Sequence, residues 1–454
     1  PIMYSYASYL ASYLDLNVGM VSTSVLPELT AEALHGFIQD VYETQSARSF
    51  GDGHLGFVTL VGDAFADDNQ TVMIPVYNGY GGMQEASDHY YACVSGDDDV
   101  EDLMLGRLSV GNAAELVTVV GKVVSYMPLP ADEQWSKSVL LVAGRFYASK
   151  ESYVELFDEY EEQIPSDWSV DRVYRHDFAN NNACAAAVVD GFNDGHVFVD
   201  YAGDGWISEW YLTMDTADIP SMTNSDRLPV VLSMACKTGW IDNVTELDQT
   251  GSYDCLAEQL VNTSGRGAVA CLAAPRDSDG GMFDTLSKKI FQAAFTEQCL
   301  FLGETISTAK LLHLQDGGAM KYVRQFNLLG EPALIYRWAT TPYMKPDLAV
   351  RAHEAETDSR FPAAGEDVTL TFKLRNQSTL SVSNACVRVT EVSQAGSHSY
   401  DIQVPTMSDW STETMQVVLP ALAEGWHSLS VVADPGNLIA ETDESNNRLS
   451  FDFY

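Results

Sequence analysis

Residues 196–210 read HVFVDYAGDGWISEW, and residues 228–240 read LPVVLSMACKTGW. His196–Tyr201 and Pro229–Met234 are short apolar runs rich in β-branched and aromatic residues, each bounded by turn residues. Strands buried on both faces have this pattern. Each run ends in a turn of small residues, Gly203-Asp204-Gly205 in the first and Ala235-Cys236-Lys237-Thr238-Gly239 in the second. In an open parallel sheet, reacting groups gather where loops leave the carboxyl ends of neighbouring strands. A thiol just past such a strand, in a polar glycine-containing turn, has the setting of a nucleophile. The two strands are therefore predicted to be adjacent and parallel, with Cys236 and Asp204 side by side at one sheet edge.

The same grammar extends to both sides. Thr30 can cap a helix whose apolar positions Leu34, Phe37, Ile38, Val41 and Tyr42 follow helical spacing. Strands are expected over 55–61 and 103–108, then an amphipathic helix over 113–126 that Pro128-Leu129-Pro130 ends. A second series follows. It has strands at 139–143 and 267–273, and helices near 153–163, 183–192, 255–261, 285–295 and 304–312. This alternation predicts an α/β fold with a mainly parallel sheet covered on both faces. It divides into subdomains over 1–130 and 131–340. Residues 341–345 read as a linker. Seven short alternating strands follow, at 348–351, 368–374, 385–392, 400–404, 413–418, 427–432 and 449–453, which predict an all-β, Ig-like sandwich over 346–454.

Composition narrows the function. A formal net charge of −39 argues against nucleic acid or an anionic membrane as partner, because phosphate would be repelled. It suits an extracellular, saline or calcium-rich setting. No apolar run is long enough to span a bilayer. The seven cysteines are scattered with no CxxC pair, so neither a zinc site nor a dense disulfide framework is indicated. Cys184, Cys271 and Cys299 sit in apolar surroundings and read as core thiols. The chain opens at Pro1 with no signal peptide and reads as a piece of a longer protein, expected to be monomeric.

At the two strand ends the chain resembles the gingipain-type cysteine peptidases (peptidase family C25), whose catalytic unit has a caspase-like fold of two α/β subdomains. In that family one strand ends in Tyr-x-Gly-His-Gly followed by a Trp, and the next ends in Ala-Cys. Tyr201, Gly203, Gly205, Trp210, Ala235 and Cys236 match, as do Asn224-Ser225, Leu228-Pro229, Ser87-Asp88 and Tyr91. Gly330-Glu331-Pro332 is similar to a Gly-Asp-Pro closing segment. Where the family carries its catalytic His, this chain carries Asp204. The C-terminal part, from Pro346-Asp347-Leu348 to Asn446-Asn447, resembles CARDB-type adhesion-related modules.

The resemblance implies a secreted endopeptidase acting on proteins or peptides, with Cys236 as nucleophile and Asp204 at the base position. Gly203 and Gly205 would lie in the oxyanion turn, with Asp88, His89 and Trp210 at the substrate pocket. A carboxylate at Asp88 would pair bidentately with a substrate Arg, or serve a basic residue generally before the cleaved bond. The chemistry needs no cofactor. The run Asp97-Asp98-Asp99 with Glu101 and Asp102 offers the hard oxygens that a structural calcium prefers. Asp204 reads in three ways: a deliberate inactivating substitution, a natural pseudo-protease that serves as a binding module, or a site with another base. His89 is the best-placed alternative base. His196 sits about 25 Å back along its strand and reads as structural.

Overall fold

The computed structural model describes residues 2–14, 16–48, 55–64, 73–96, 98–127, 134–144, 152–242, 254–278, 286–336, 346–350, 355–359, 361–376, 378, 381–404, 406–408, 411–439, 441 and 446–453. The expected linker at 341–345 and the proline run at 128–130 lie outside them. Packing divides the chain into two units, residues 1–6 with 20–338, and residues 7–19 with 339–454.

The first unit is built on one eight-stranded sheet. Its strands are β1 (Phe57–Val61), β2 (Met104–Leu108), β3 (Ser138–Ala143), β4 (Ser169–Tyr174), β5 (Phe198–Ala202), β9 (Val230–Met234), β10 (Ala270–Ala273) and β11 (Asn327–Leu329). The short β6 (Gly205–Trp206), β7 (Glu209–Trp210) and β8 (Met214–Asp215) form a separate three-stranded ribbon. The spatial order is β1-β2-β11-β10-β9-β5-β3-β4, and every pairing is parallel except β10 with β11. Every residue of β3, β5, β9 and β10 is buried, which is why these segments read as continuous apolar runs rather than alternating ones. The edge strand β4 is largely exposed and carries Asp171 and Arg172, so it gave no strand signal.

The two predicted α/β series share this sheet. The joint is β11, which pairs antiparallel with β10 and touches β2 through Leu329 and Arg107. Among the helices, Ala31–Arg48 starts with Thr30 Oγ1 accepting from Ala33 N at 3.1 Å. The helix Ala113–Tyr126 is capped by Asn112, which accepts from Ala114 N and Glu115 N.

The second unit contains all seven predicted strands and one more, Glu356–Thr357. Val368–Asn376 pairs with Leu348–Val350, Glu356–Thr357 and Thr412–Leu419. A second sheet runs Gly396–Gln403, Cys386–Ser393, His427–Ala433, Arg448–Phe453. Inner residues of both sheets, among them Leu348, Phe372, Val389, Leu429 and Phe453, form one core. This is the sandwich the alternating pattern required.

The α/β unit also buries carboxyls with no opposing charge. Asp200, in the middle of β5, accepts from Ser287 Oγ at 2.7 Å through one oxygen and has no partner for the other. Its burial pushes its pKa up to about 7. Burial likewise raises Glu331, held by Tyr6 and Thr59, and Glu258, held by Ser109 and the Cys255 amide. A carboxyl raised in this way keeps its proton in the folded chain, while the unfolded chain releases it near pH 4. Its stabilisation is full below the unfolded value and is lost as pH rises through the folded one. Lys122, which burial lowers to about 7, acts in the opposite sense only above that pH. The melting temperature should therefore fall by a few degrees between about pH 5 and pH 7, and Asp200→Asn should flatten that slope. A melting temperature that rises over this range, followed by circular dichroism, would contradict the assignment.

Candidate active site

The parallel register of β5 and β9 sets Ala202 opposite Met234, so both strands end at the same level. Gly203 N donates to Met234 O at 3.3 Å and carries the pairing one residue beyond the strands. The chain then turns back. Asp204 O accepts from Tyr201 Oη at 2.7 Å and from Tyr211 N at 2.9 Å. Tyr201 stacks on Trp210 with centroids 4.5 Å apart, and Trp210 Nε1 donates to Ser233 Oγ at 2.8 Å. Ser233 in turn meets Thr238 Oγ1 at 2.8 Å, so this aromatic brace joins both turns. Gly205 lies against the second turn. A Cβ there would stand 2.7 Å from both Ala235 Cβ and Cys236 O, closer than any side chain tolerates. Lys237, directly after the thiol, adopts φ +62, a left-handed conformation that non-glycine residues seldom hold outside functional turns.

Cys236 is partly buried. Its Sγ donates to Ser278 O at 3.3 Å and accepts from Ser278 N at 3.3 Å. No imidazole reaches it among the described residues. The seven described histidines are bonded elsewhere: His35 to Cys93 O, His89 to Glu101, His176 to Asp177, His196 to Asp171 and Gly191 O, His313 to Ala319 O, and His398 and His427 to Glu391. The Asp204 carboxyl has one buried oxygen without a partner, and its burial raises its pKa. Raising its pKa makes that carboxylate more basic, yet its anion would still oppose a thiolate, and it lacks the neutral-to-cation cycle by which an imidazole acts first as base and then as acid.

A sequence model of Peptidase family C25 matches residues 3–337, and a model of CARDB matches residues 345–451. The chain belongs to peptidase family C25. Two curated relatives from Porphyromonas gingivalis, Gingipain R2 and Gingipain R1, are each 23% identical to it over 263 residues. That match covers 56% of this chain, 32% of the first and 24% of the second, so the chain spans a third or less of the relatives it matches. The crystal structure of the Arg-specific cysteine proteinase gingipain R superposes with a TM-score of 0.63 at 16% identity, covering 99% of this chain and 93% of that one. A complex of Porphyromonas gingivalis RgpB pro- and mature domains gives 0.61 at 16% identity, with 99% and 95% covered. At that identity the likeness speaks for the C25 fold alone.

Several polar residues expected at the C25 site are employed inside the protein instead. Asp88 is 4% exposed and takes both Nε and Nη2 of Arg107, at 2.7 and 2.6 Å. Arg107 is fully buried, and its remaining donors reach the carbonyls of Gly62, Ile74 and Pro75. The carboxylate expected to receive a substrate arginine is thus already forked on an internal one. His89 is 2% exposed, with Nδ1 on Glu101 at 2.9 Å and Nε2 on Asp99 O at 2.9 Å, so both ring nitrogens are engaged away from Cys236. Trp210 is wholly buried in the brace.

The acidic run is also spoken for. Asp97 lies outside the described residues. Asp98 caps Val100 N, Asp99 pairs with Arg324, and Asp102 accepts from Val94 N and Ser95 N. Glu101 takes His89, Ser307 and Lys310, and against the cost of its burial Lys310 and His89 hold its carboxyl well below the usual range. Among the described residues no group of three or more His, Cys, Asp or Glu is arranged to hold a metal ion, and the described members of this run serve as caps and ion pairs.

The reading of the strand ends missed Ser278, which contacts the thiol, and Arg276 and Asp242, which pair between the loops that follow β10 and β9. Loop 274–278 leaves the carboxyl end of β10, the neighbour of β9, so the strand-end rule applied to β10 would have pointed there. The buried fork supplies a test. Asp88→Ala should destabilise the fold by about 3–5 kcal/mol, because it leaves Arg107 buried without its counter-charge. Denaturant unfolding measures this, and a loss below about 1 kcal/mol would show the fork to be dispensable.

Proposed function

We propose that Cys236 is the nucleophile of a cysteine endopeptidase site for protein or peptide substrates, and that Asp204 at the base position leaves this form slow. One observation carries the reading. The thiol and the Asp204 turn lie at the ends of adjacent parallel strands, with Gly205 packed on the Cys236 carbonyl. A nucleophile–base pair would be assembled there if residue 204 were an imidazole. A positioned imidazole contributes about 10²–10⁴-fold, whereas the Asp204 anion opposes the thiolate that it would have to generate. The proposal extends to an extracellular setting, which the acidic composition favours.

A second reading, a natural pseudo-protease that keeps the cleft as a binding surface, is favoured by the engagement of every described histidine away from Cys236. A preference for Arg or Lys before the cleaved bond belongs to the proposal as well, but Asp88 does not support it.

Asp204→His should raise hydrolysis of Arg- or Lys-containing reporter peptides by at least about a hundredfold. Cys236→Ala in that background should abolish it. If the unaltered protein already cleaves as fast as the Asp204→His variant, Asp204 is not what slows the site. If the variant gains nothing, the pseudo-protease reading stands.

A further inference from the structure

After β10 the chain Ala274-Pro275-Arg276-Asp277-Ser278 lies along the nucleophile's own turn. Gly239 N donates to Ala274 O at 2.9 Å and Lys237 N to Arg276 O at 3.1 Å, which carries the contact between β10 and β9 beyond the strand ends. Asp277 pairs with Lys237 at 3.0 Å, and its carbonyl accepts from Gln325 Nε2 at 2.6 Å. Ser278 ends the segment on the thiol itself.

The side chain of Arg276 is held with unusual completeness. Nη1 and Nη2 donate to the two oxygens of Asp242 at 2.8 and 2.7 Å, an end-on fork. The guanidinium carbon stands 4.7 Å from the centroid of the Trp240 ring, and Nε is 3.7 Å from Glu85. Only 15% of the Arg276 side chain and 17% of Asp242 remain exposed. A planar fork, an aromatic face and a second carboxylate are the elements by which proteins recognise a guanidinium. Trp240 and Asp242 follow Cys236 on the same loop, and Ser278, two residues beyond Arg276, contacts the thiol.

We infer that Trp240, Asp242 and Glu85 form a guanidinium-binding subsite at the mouth of Cys236, filled by the protein's own Arg276, with segment 274–278 acting as a built-in pseudosubstrate. The subsite takes the arginine side chain of a peptide when the segment leaves. The register explains why the segment blocks rather than reacts. The thiol contacts Ser278, two residues beyond Arg276, while the Arg276 carbonyl is engaged by the Lys237 amide. This inference rests on the reading of Cys236 as a nucleophile, but its test needs no hydrolysis.

The experiment follows alkylation of Cys236 by iodoacetamide in the full chain, resolved from the other cysteines by peptide mass spectrometry. Arg276→Ala should speed labelling by at least about tenfold, the scale of losing a charge-assisted fork. Millimolar N-acetyl-arginine amide should restore the slow rate, and N-acetyl-norleucine amide should not. Asp242→Asn keeps the side-chain volume; it should speed labelling on its own and remove the arginine effect from the double variant. Should Arg276→Ala fail to fold, labelling of Asp242→Asn alone decides. An unchanged rate in the folded variants, or equal protection by norleucine amide, overturns the subsite. If arginine amide protects Cys236 while Asp204→His yields no hydrolysis, the subsite stands and the peptidase reading falls.

Discussion

The site depends on one pairing, the parallel alignment of β5 with β9. Neighbouring strands run about 4.8 Å apart, so two strands that end level must deliver their loops to the same place. With Ala202 opposite Met234, the Asp204 turn and the Cys236 turn have nowhere else to go. The local chemistry then tightens the approach. Gly205 admits the Cys236 carbonyl where a methyl group would clash, and the Tyr201–Trp210–Ser233–Thr238 chain of contacts ties the first turn to the second. These contacts serve geometry alone and are indifferent to residue 204, whose backbone carbonyl they use and whose side chain they do not.

The acidity of the chain, −39 overall, invites a functional reading of its many carboxylates, yet those inside the α/β unit are mostly structural. Asp88 and Glu101 are matched by Arg107 and by Lys310 with His89, and each cation is itself buried. In such a place a carboxylate without its partner would cost several kcal/mol, so pairing is a condition of burial rather than a sign of ligand recognition. Arg276 and Asp242 differ in kind. Their fork is only partly covered and lies on turns leaving adjacent strands. The same two residue types, arginine and aspartate, thus serve the core at one place and the mouth of the cleft at another. Burial and position separate the two cases.

The chain keeps the small-residue turns on which its resemblance to C25 rests, and carries Asp204 between the two glycines of the first. Asp204 is half-buried with one buried oxygen unmatched. Scaffold and chemistry are separable here because the scaffold's energy lies in strand pairing and aromatic packing, whereas the chemistry resides in one exchangeable side chain.

Much of this was legible in the chain itself. Continuous apolar runs marked β3, β5, β9 and β10 because strands covered on both faces tolerate no polar alternation, and a period-two pattern marked sandwich strands such as Val368–Asn376, Thr412–Leu419 and His427–Ala433 because each has one wetter face. The small-residue turns placed Cys236 and Asp204 at one sheet edge. Three things escaped. β4 is an exposed edge with charges in it, and β11 is three residues long, too short to carry a period. The employment of Asp88, His89 and Trp210 escaped because a charge or an indole has the same letter whether it faces a partner inside or a ligand outside. The sequence by itself determined which strands exist and which turns bear the thiol and the acid. The tertiary structure alone decided which cation meets which carboxylate, since pairs such as Asp88–Arg107, 19 positions apart, and Glu101–Lys310, 209 apart, meet through space that no local pattern encodes.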